Sequence, residues 1–365
     1  MIIRFGYFKP PVCKAQNSNL DKEKPGFGQR ETREIPILIA IFSKSNTHRE
    51  IQFSPISSVF FTLQYFCNTT AMLLQYIKFV GPINSSTFAS YRIIKNKIHK
   101  SESMQARHSN YEDYFKESEK SCEKHYYRYL QQFVSFGGKQ PLKVLEVGCG
   151  VGGNLAFFAR IGCAVKGVDI DAHSIDQAVK LFGKEGLQGT FIHADVLEYV
   201  DAERYNLIIL HDAIEHISDK DKLMHCLRGL LAEQGVLYVA FPAWCMPFGG
   251  HQQVARTWFV SRCPFIHLLP QRLFVWLLRR LGEPDSVIND FLAIKETRMS
   301  IQAFQQLCHN TGFDIIDRRL YFINPHYEAK FGLTPRVLCK GLSCIPYVRD
   351  FFTTSCHYLI RKDIE

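Results

Sequence analysis

The chain has 365 residues, 46% of them apolar and 22% charged, proportions ordinary for a globular protein. Its formal net charge is +9, but residues 1–103 hold 14 Lys and Arg against 6 Asp and Glu, while residues 104–365 hold 30 against 29. The basic excess is confined to the N-terminal segment, so the body lacks the broad positive footprint that a phosphate backbone requires and nucleic acid is excluded as its partner.

Residues 1–103 show no sustained helical or strand period and are broken by Pro10, Pro11, Pro25, Pro36, Pro55 and Pro82. They are expected to be a poorly structured leader or a spurious extension, with Met104 opening the domain at 104–365. Residues 51–77 carry no charge but are interrupted by Pro55, Gln64, Asn68, Thr69, Thr70 and Gln75, which argues against a membrane span. From Tyr111 to Phe136, aromatic and aliphatic residues recur at three- and four-residue steps, the signature of an entry helix or helix pair.

Strand and helix patterns then alternate. Strands are expected at Leu142–Val147, Ala164–Val168, Thr190–His193, Asn206–His211 and Gly235–Phe241, with helices at Gly152–Ile161, Ala172–Glu185 and Asp219–Leu231. Short apolar strands separated by amphipathic helices imply a parallel sheet covered on both faces. Residues 243–297, rich in proline and aromatics, interrupt the rhythm as an insertion after the fifth strand. A helix near Ser300–Asn310 and strands near Phe313–Phe322 and Cys356–Arg361 resume it. The insertion therefore lies over the C-terminal edge of the sheet, where open α/β sheets bind ligands.

The first strand runs into Glu146-Val147-Gly148-Cys149-Gly150-Val151-Gly152-Gly153. Glycines there let the backbone take positive φ and approach a ligand, and the next helix offers free N–H groups. Gly148, Gly150 and Gly153 also fit a dinucleotide fingerprint. Glu146 opposes that reading, because a carboxylate repels a pyrophosphate; it suits a ligand carrying an ammonium and a sulfonium, as S-adenosylmethionine does. Asp169, at the end of the second strand, is placed to accept from ribose hydroxyls, with Asp171 fitting the N-cap of the next helix. Asp195, after the third strand, is placed to accept from an adenine amino group. His211 ends the fourth strand beside the expected reacting methyl, and Glu215-His216 orders the turn that follows.

Residues 142–241 resemble the class I S-adenosylmethionine-dependent methyltransferase core, in the branch similar to ubiquinone-biosynthesis O-methyltransferases. The resemblance implies a Rossmann-like, doubly wound sheet of seven strands with the last antiparallel, and the residues themselves place a lid insertion after strand five. It implies cofactor contacts from Glu146, Gly148, Cys149, Gly150 and Gly152, from Asp169 and Ile170, from Asp195 and Val196, and from His211. The long stretch Asn324–Thr354 departs from the family pattern. The reaction expected is methyl transfer to a small-molecule, lipid-like or glycan acceptor at oxygen. Transfer to carbon or nitrogen, or a non-catalytic cofactor-binding protein, are the alternatives.

Within the insertion, Trp244 and Phe248 are suited to exclude water, Gly249-Gly250 to hinge, and His251 to take a proton from the acceptor, with His211 the other candidate base. The helix at 272–281 has an apolar face with basic flanks, a candidate for peripheral membrane contact. The twelve cysteines contain no Cys-x-x-Cys pair, and the smallest spacing is Cys339 to Cys344. No metal site and a reducing, cytoplasmic compartment are expected.

Overall fold

A computed structural model describes residues 110–363. The expected leader, and the uncharged run 51–77, lie outside the described residues. Among those described, no helix is long and apolar enough to cross a membrane.

Helix α1 (Tyr111–Ser121) is capped by Asn110 and passes into a π-helical stretch, Cys122–Tyr127, and a last turn, Arg128–Leu130. The alternating body follows in chain order: β1 (Lys143–Val147), α2 (Gly153–Arg160), β2 (Ala164–Asp169), α3 (Ala172–Lys184), β3 (Thr190–His193), β4 (Tyr205–His211), α4 (Lys220–Leu230) and β5 (Leu231–Phe241). Polar side chains start two of these helices, at Asp171 as the sequence suggested and at Asp219, which the sequence reading had placed inside its helix. Asp171 accepts from the N–H groups of His173 and Ser174, and Asp219 from that of Lys222.

The insertion supplies α5 (Trp258–Arg262), α6 (Gln271–Arg280) and α7 (Asp285–Thr297). The chain then returns through α8 (Ile301–Asn310), β6 (Phe313–Ile323), α9 (His326–Phe331), β7 (Arg336–Val337) and β8 (Ser355–Lys362).

The sheet order is β3-β2-β1-β4-β5-β8-β6-β7. Strands β1 to β5 are mutually parallel, and β8 runs antiparallel between β5 and β6. The doubly wound sheet with an antiparallel last strand is thus present, but with eight strands rather than seven. The extra one, β7, is two residues long and pairs antiparallel with β6 at the edge. It comes from the divergent stretch 324–354, most of which packs elsewhere. There Glu328 of α9 accepts from Lys124 Nζ (2.6 Å) and pairs with His125 Nε2 (2.8 Å), fastening this stretch to the entry helices.

Side chains alternate along the central strands, so each strand feeds both faces. On one face Leu145, Ile208, Leu210, Leu237 and Val239 pack with Leu223 and Leu227 of α4 and Phe304 of α8. On the other, Val144, Leu207, Ile209 and Tyr238 pack with Phe115 and Tyr126 of the entry segment, Leu155 of α2 and Phe182 of α3. The insertion has an apolar cluster of its own, centred on Phe274, Leu278, Ile288 and Phe291. The buried Glu283 carboxylate ties its start to its middle, accepting from the N–H groups of Arg256 (3.1 Å) and Thr257 (2.7 Å) and from the Thr257 hydroxyl. The connections leave β1 toward β2 on one side and reach β4 on the other. That is the switch point at which doubly wound sheets open a crevice.

Candidate active site

At the switch point β1 ends in the glycine turn. Gly148 has φ 71°, and a Cβ there would stand 2.8 Å from Ala213 Cβ, so the loops after β1 and β4 meet only because this residue is glycine. Gly152 has φ 80° and caps α2. Asp169 pins the turn: its Oδ2 accepts from Gly150 N–H at 2.8 Å and its Oδ1 from Asp171 N–H at 2.9 Å. Each of its oxygens keeps a lone pair beyond these bonds, and burial raises the Asp169 pKa.

Glu146 lies below the turn, 1% exposed. Its Oε1 accepts from Asn154 Nδ2 at 2.7 Å; its Oε2 has no hydrogen-bond partner among the described residues. Burial, with a smaller push from Asp169, raises its pKa to about 8. A buried carboxylate with an orphaned oxygen is costly without a positive ligand. The cradle therefore fits a cationic group such as the ammonium of S-adenosylmethionine and does not fit a pyrophosphate.

Other expected contacts sit around this centre less tightly. Cys149 and Val196 are buried, whereas Ile170 is exposed. Ala194 N–H donates to the Asp169 carbonyl (3.0 Å), drawing the β3 exit beside β2. Asp195 itself is exposed and closes a local turn, its Oδ1 accepting from Leu197 N–H at 2.9 Å. His211 stands at the β4 tip with its ring 4.8 Å from that of Tyr126 and its Nδ1 3.5 Å from Asp212 Oδ2. Asp212 follows at φ 50°, a left-handed conformation uncommon outside glycine.

His251 sits in the segment after β5, beside His216. Its ring lies 5.1 Å from that of His216, and one ligand atom each from Glu215, His216 and His251 all lie within 4.8 Å of one another. Burial, with His216 and His267 adding, lowers the His251 pKa to about 3. An imidazole of that acidity is a poor match to a general base working near neutral pH. Neither Gly249 nor Gly250, the pair expected to hinge, has positive φ. A Cβ on Gly249 would be 2.2 Å from the Trp244 carbonyl oxygen, and one on Gly250 would be 2.3 Å from His267 Cβ. Both glycines permit close packing. His267 Nε2 donates to the Trp244 carbonyl (2.8 Å) and Gln252, fully buried, donates to that of Pro247 (2.7 Å), so the segment is clamped.

Several residues of the site were not singled out by the sequence reading. Asn154 serves Glu146 from the first turn of α2. The hydroxyls of the half-buried Tyr114 and Tyr327 are each pushed up to about 12 by loss of solvent and by Asp212, and Tyr114 also senses Glu146 and Asp169. Tyr114 and Tyr126 belonged to a helical pattern that looked like packing alone; their proximity to β4 is tertiary information.

A family model described as a methyltransferase domain matches residues 122–318. Among curated proteins, the chain is 29% identical over 141 residues to a ubiquinone biosynthesis O-methyltransferase of Histophilus somni, covering 35% of this chain and 58% of that one. It is likewise 29% identical over 128 residues to the protein of that name from Klebsiella pneumoniae, covering 33% and 52%. The chain thus spans about half the length of the curated relatives it matches. Among solved structures, an S-adenosylmethionine-dependent methyltransferase from Clostridium acetobutylicum aligns at 12% identity with a TM-score of 0.39, covering 61% of this chain and 84% of that one. A plantazolicin methyltransferase in complex with SAH aligns at 14% identity with a TM-score of 0.40, covering 83% and 98%.

Proposed function

The chain belongs to the methyltransferase domain family, and on that premise we propose that it transfers a methyl group from S-adenosylmethionine to an oxygen of a small-molecule, lipid-like or glycan acceptor. The observation that carries the cofactor is Glu146, buried at a glycine turn with one carboxylate oxygen lacking a partner among the described residues. Its charge suits the ammonium of the amino-acid moiety. Gly148, Cys149, Gly150 and Gly152 hold the backbone open beside it. Asp169 and Ile170 take the ribose side, Asp195 and Val196 the adenine side, and His211 the mouth near the methyl. When bound, S-adenosylmethionine supplies an electrophilic methyl on a sulfonium, so the protein's share is alignment and exclusion of water. Oxygen is favoured because the curated relatives named above are O-methyltransferases. His211, at the tip of β4, and His251, in the segment after β5, are the imidazoles proposed to face the acceptor.

Calorimetry with S-adenosylhomocysteine and NAD tests the cofactor. The wild type should bind the first and not the second, and Asp169→Ala should lose about 1–3 kcal/mol, the scale of hydrogen bonds to a charged group. Tight NAD binding would reject the assignment. Formation of S-adenosylhomocysteine with a panel of catechols, quinols and glycans tests the acceptor atom. Turnover restricted to amines or to carbon nucleophiles would overturn the oxygen reading.

A further inference from the structure

Strand β6 ends, and β8 begins, at the edge of the sheet that carries the glycine turn. Across the sheet, His211 of β4 stands in register with Ala240 of β5, Ala240 with His357 of β8, and His357 with Arg319 of β6. The connection from β6 to β8 therefore leaves the core beside the mouth of the site. Its first helix, α9, docks on the entry segment. His326 Nδ1 is 3.4 Å from Ser121 Oγ, Glu328 Oε1 accepts from Lys124 Nζ at 2.6 Å, and Glu328 Oε2 pairs with His125 Nε2 at 2.8 Å. Tyr126, the next residue, turns the other way. Its ring meets that of His211 at 4.8 Å, and its buried hydroxyl has no hydrogen-bond partner among the described residues. The outer side of the π-helical turn thus holds α9 while the inner side lines the site, a placement that single π-turns often have.

Tyr327 lies between His326 and Glu328, the two residues that fasten α9. It is half-buried, and its hydroxyl is within electrostatic reach of Asp212 on the loop after β4. Apolar anchoring is weak here: no side chain of residues 326–337 is buried. The two ends are fixed, by the buried Pro325 and by the buried Leu338, whose N–H donates to the Leu320 carbonyl at 2.7 Å. Gly332 closes α9 at φ 68°, a conformation glycine enters freely. The side chains of Lys124 and Glu328 are 49% and 30% exposed, so solvent weakens their pair. A flap with fixed ends, polar fastenings and no core side chain belongs to the least stable part of a fold. The segment after β5 differs, being clamped through the buried side chains of Gln252 and His267.

We propose that residues 326–337 form a cover over the mouth of the site, with Tyr327 as its inner surface and the pairs of Glu328 with Lys124 and His125 as its latch, and that its opening gates the passage of ligands. The proposal rests on the S-adenosylmethionine reading above for the ligand through which gating is observed. Closed, the cover keeps water from the loop after β4, where the methyl group is to be transferred. Open, it exposes Tyr126 and His211 to an incoming acceptor. A cover that touches the cofactor product equally in both positions changes how fast that product enters and leaves and not how tightly it binds.

The test uses the full chain and two readouts. In hydrogen exchange followed by mass spectrometry, the amides of 326–337 should exchange well before those of β6 and β8. Glu328→Ala should speed that exchange about 3- to 10-fold, the scale of two half-exposed ion pairs, with the strands unchanged. In stopped-flow mixing with S-adenosylhomocysteine, Glu328→Ala should raise the association and dissociation rates by a similar factor and leave Kd within about twofold. Tyr327→Ala, which removes the inner surface while Glu328 keeps its partners, should raise both rates as well. Exchange in 326–337 as slow as in β6, or rates unmoved in both variants, overturns the proposal. So does a weakened affinity with an unchanged association rate, which would make Glu328 a support of the binding site. If S-adenosylhomocysteine does not bind the wild type, the cofactor reading fails, and the exchange of 326–337 with and without the Glu328 latch decides the cover by itself.

Discussion

At the residue scale, Glu146 is the position where burial and charge are most directly opposed. Its folded pKa of about 8 lies above the ordinary 4.5, so between those values the folded chain holds a proton that the unfolded chain has released. The stability this group contributes is therefore present below about pH 4.5 and falls as pH rises toward 8. A cationic ligand reverses the preference and favours the ionised carboxylate. At pH 7, binding of S-adenosylmethionine should accordingly release close to one proton, about one per ligand at most. Titrations in two buffers of different ionisation enthalpy count it. Glu146→Gln, which keeps a carbonyl for Asn154 to donate to, should abolish the release, lower affinity about 10- to 100-fold and flatten the pH slope of stability. Proton release that persists in this variant would place the titrating group elsewhere, with Asp169 the next candidate.

At the scale of elements, the lid segment offers the sharpest contrast between sequence and structure. Two adjacent glycines flanked by aromatics fit a hinge, yet at Gly250 the missing Cβ makes room for His267, whose imidazole is fixed by the Trp244 carbonyl. Gly250→Ala should therefore cost about 1–3 kcal/mol, as overpacking of a tight site does. In thermal denaturation it should lower the melting temperature, while S-adenosylhomocysteine affinity at the β1–β3 tips holds. A hinge glycine would behave otherwise: stability would stay level and the turnover rate would change. One residue code thus serves two physical purposes, and only tertiary contact separates them. The central strands were legible because near-continuous apolar runs bounded by glycine, asparagine and aspartate leave few alternatives. Asp171 was legible as a cap because capping is local. The π-helical stretch Cys122–Tyr127 was not, since its shifted hydrogen bonds leave the three-and-four-residue spacing almost intact. Strand β7 was missed because two residues carry no periodicity. The Glu215–His216–His251 cluster joins residues that sit 35 positions apart on two different loops; the first two were read as turn residues and the third as a base.

At the scale of the whole molecule, the question is what the domain needs in order to fold. Both faces of the sheet are covered by helices within residues 110–363: α1, α2 and α3 on one side, α4 and α8 on the other. The insertion closes its own apolar cluster and is bolted to the β4 loop by Thr297 and Lys220. The charge count agrees, because residues 104–365 are nearly neutral and the positive excess lies before them. A protein comprising 104–365 should therefore fold by itself. It should melt in a single cooperative transition and bind S-adenosylhomocysteine within about twofold of the full chain, since a twofold change is only about 0.4 kcal/mol. Scanning calorimetry checks the first claim and titration the second. A broad transition, dye binding typical of loosely packed states, or an affinity loss beyond tenfold would mean that residues 1–103 complete the core or the cofactor cradle.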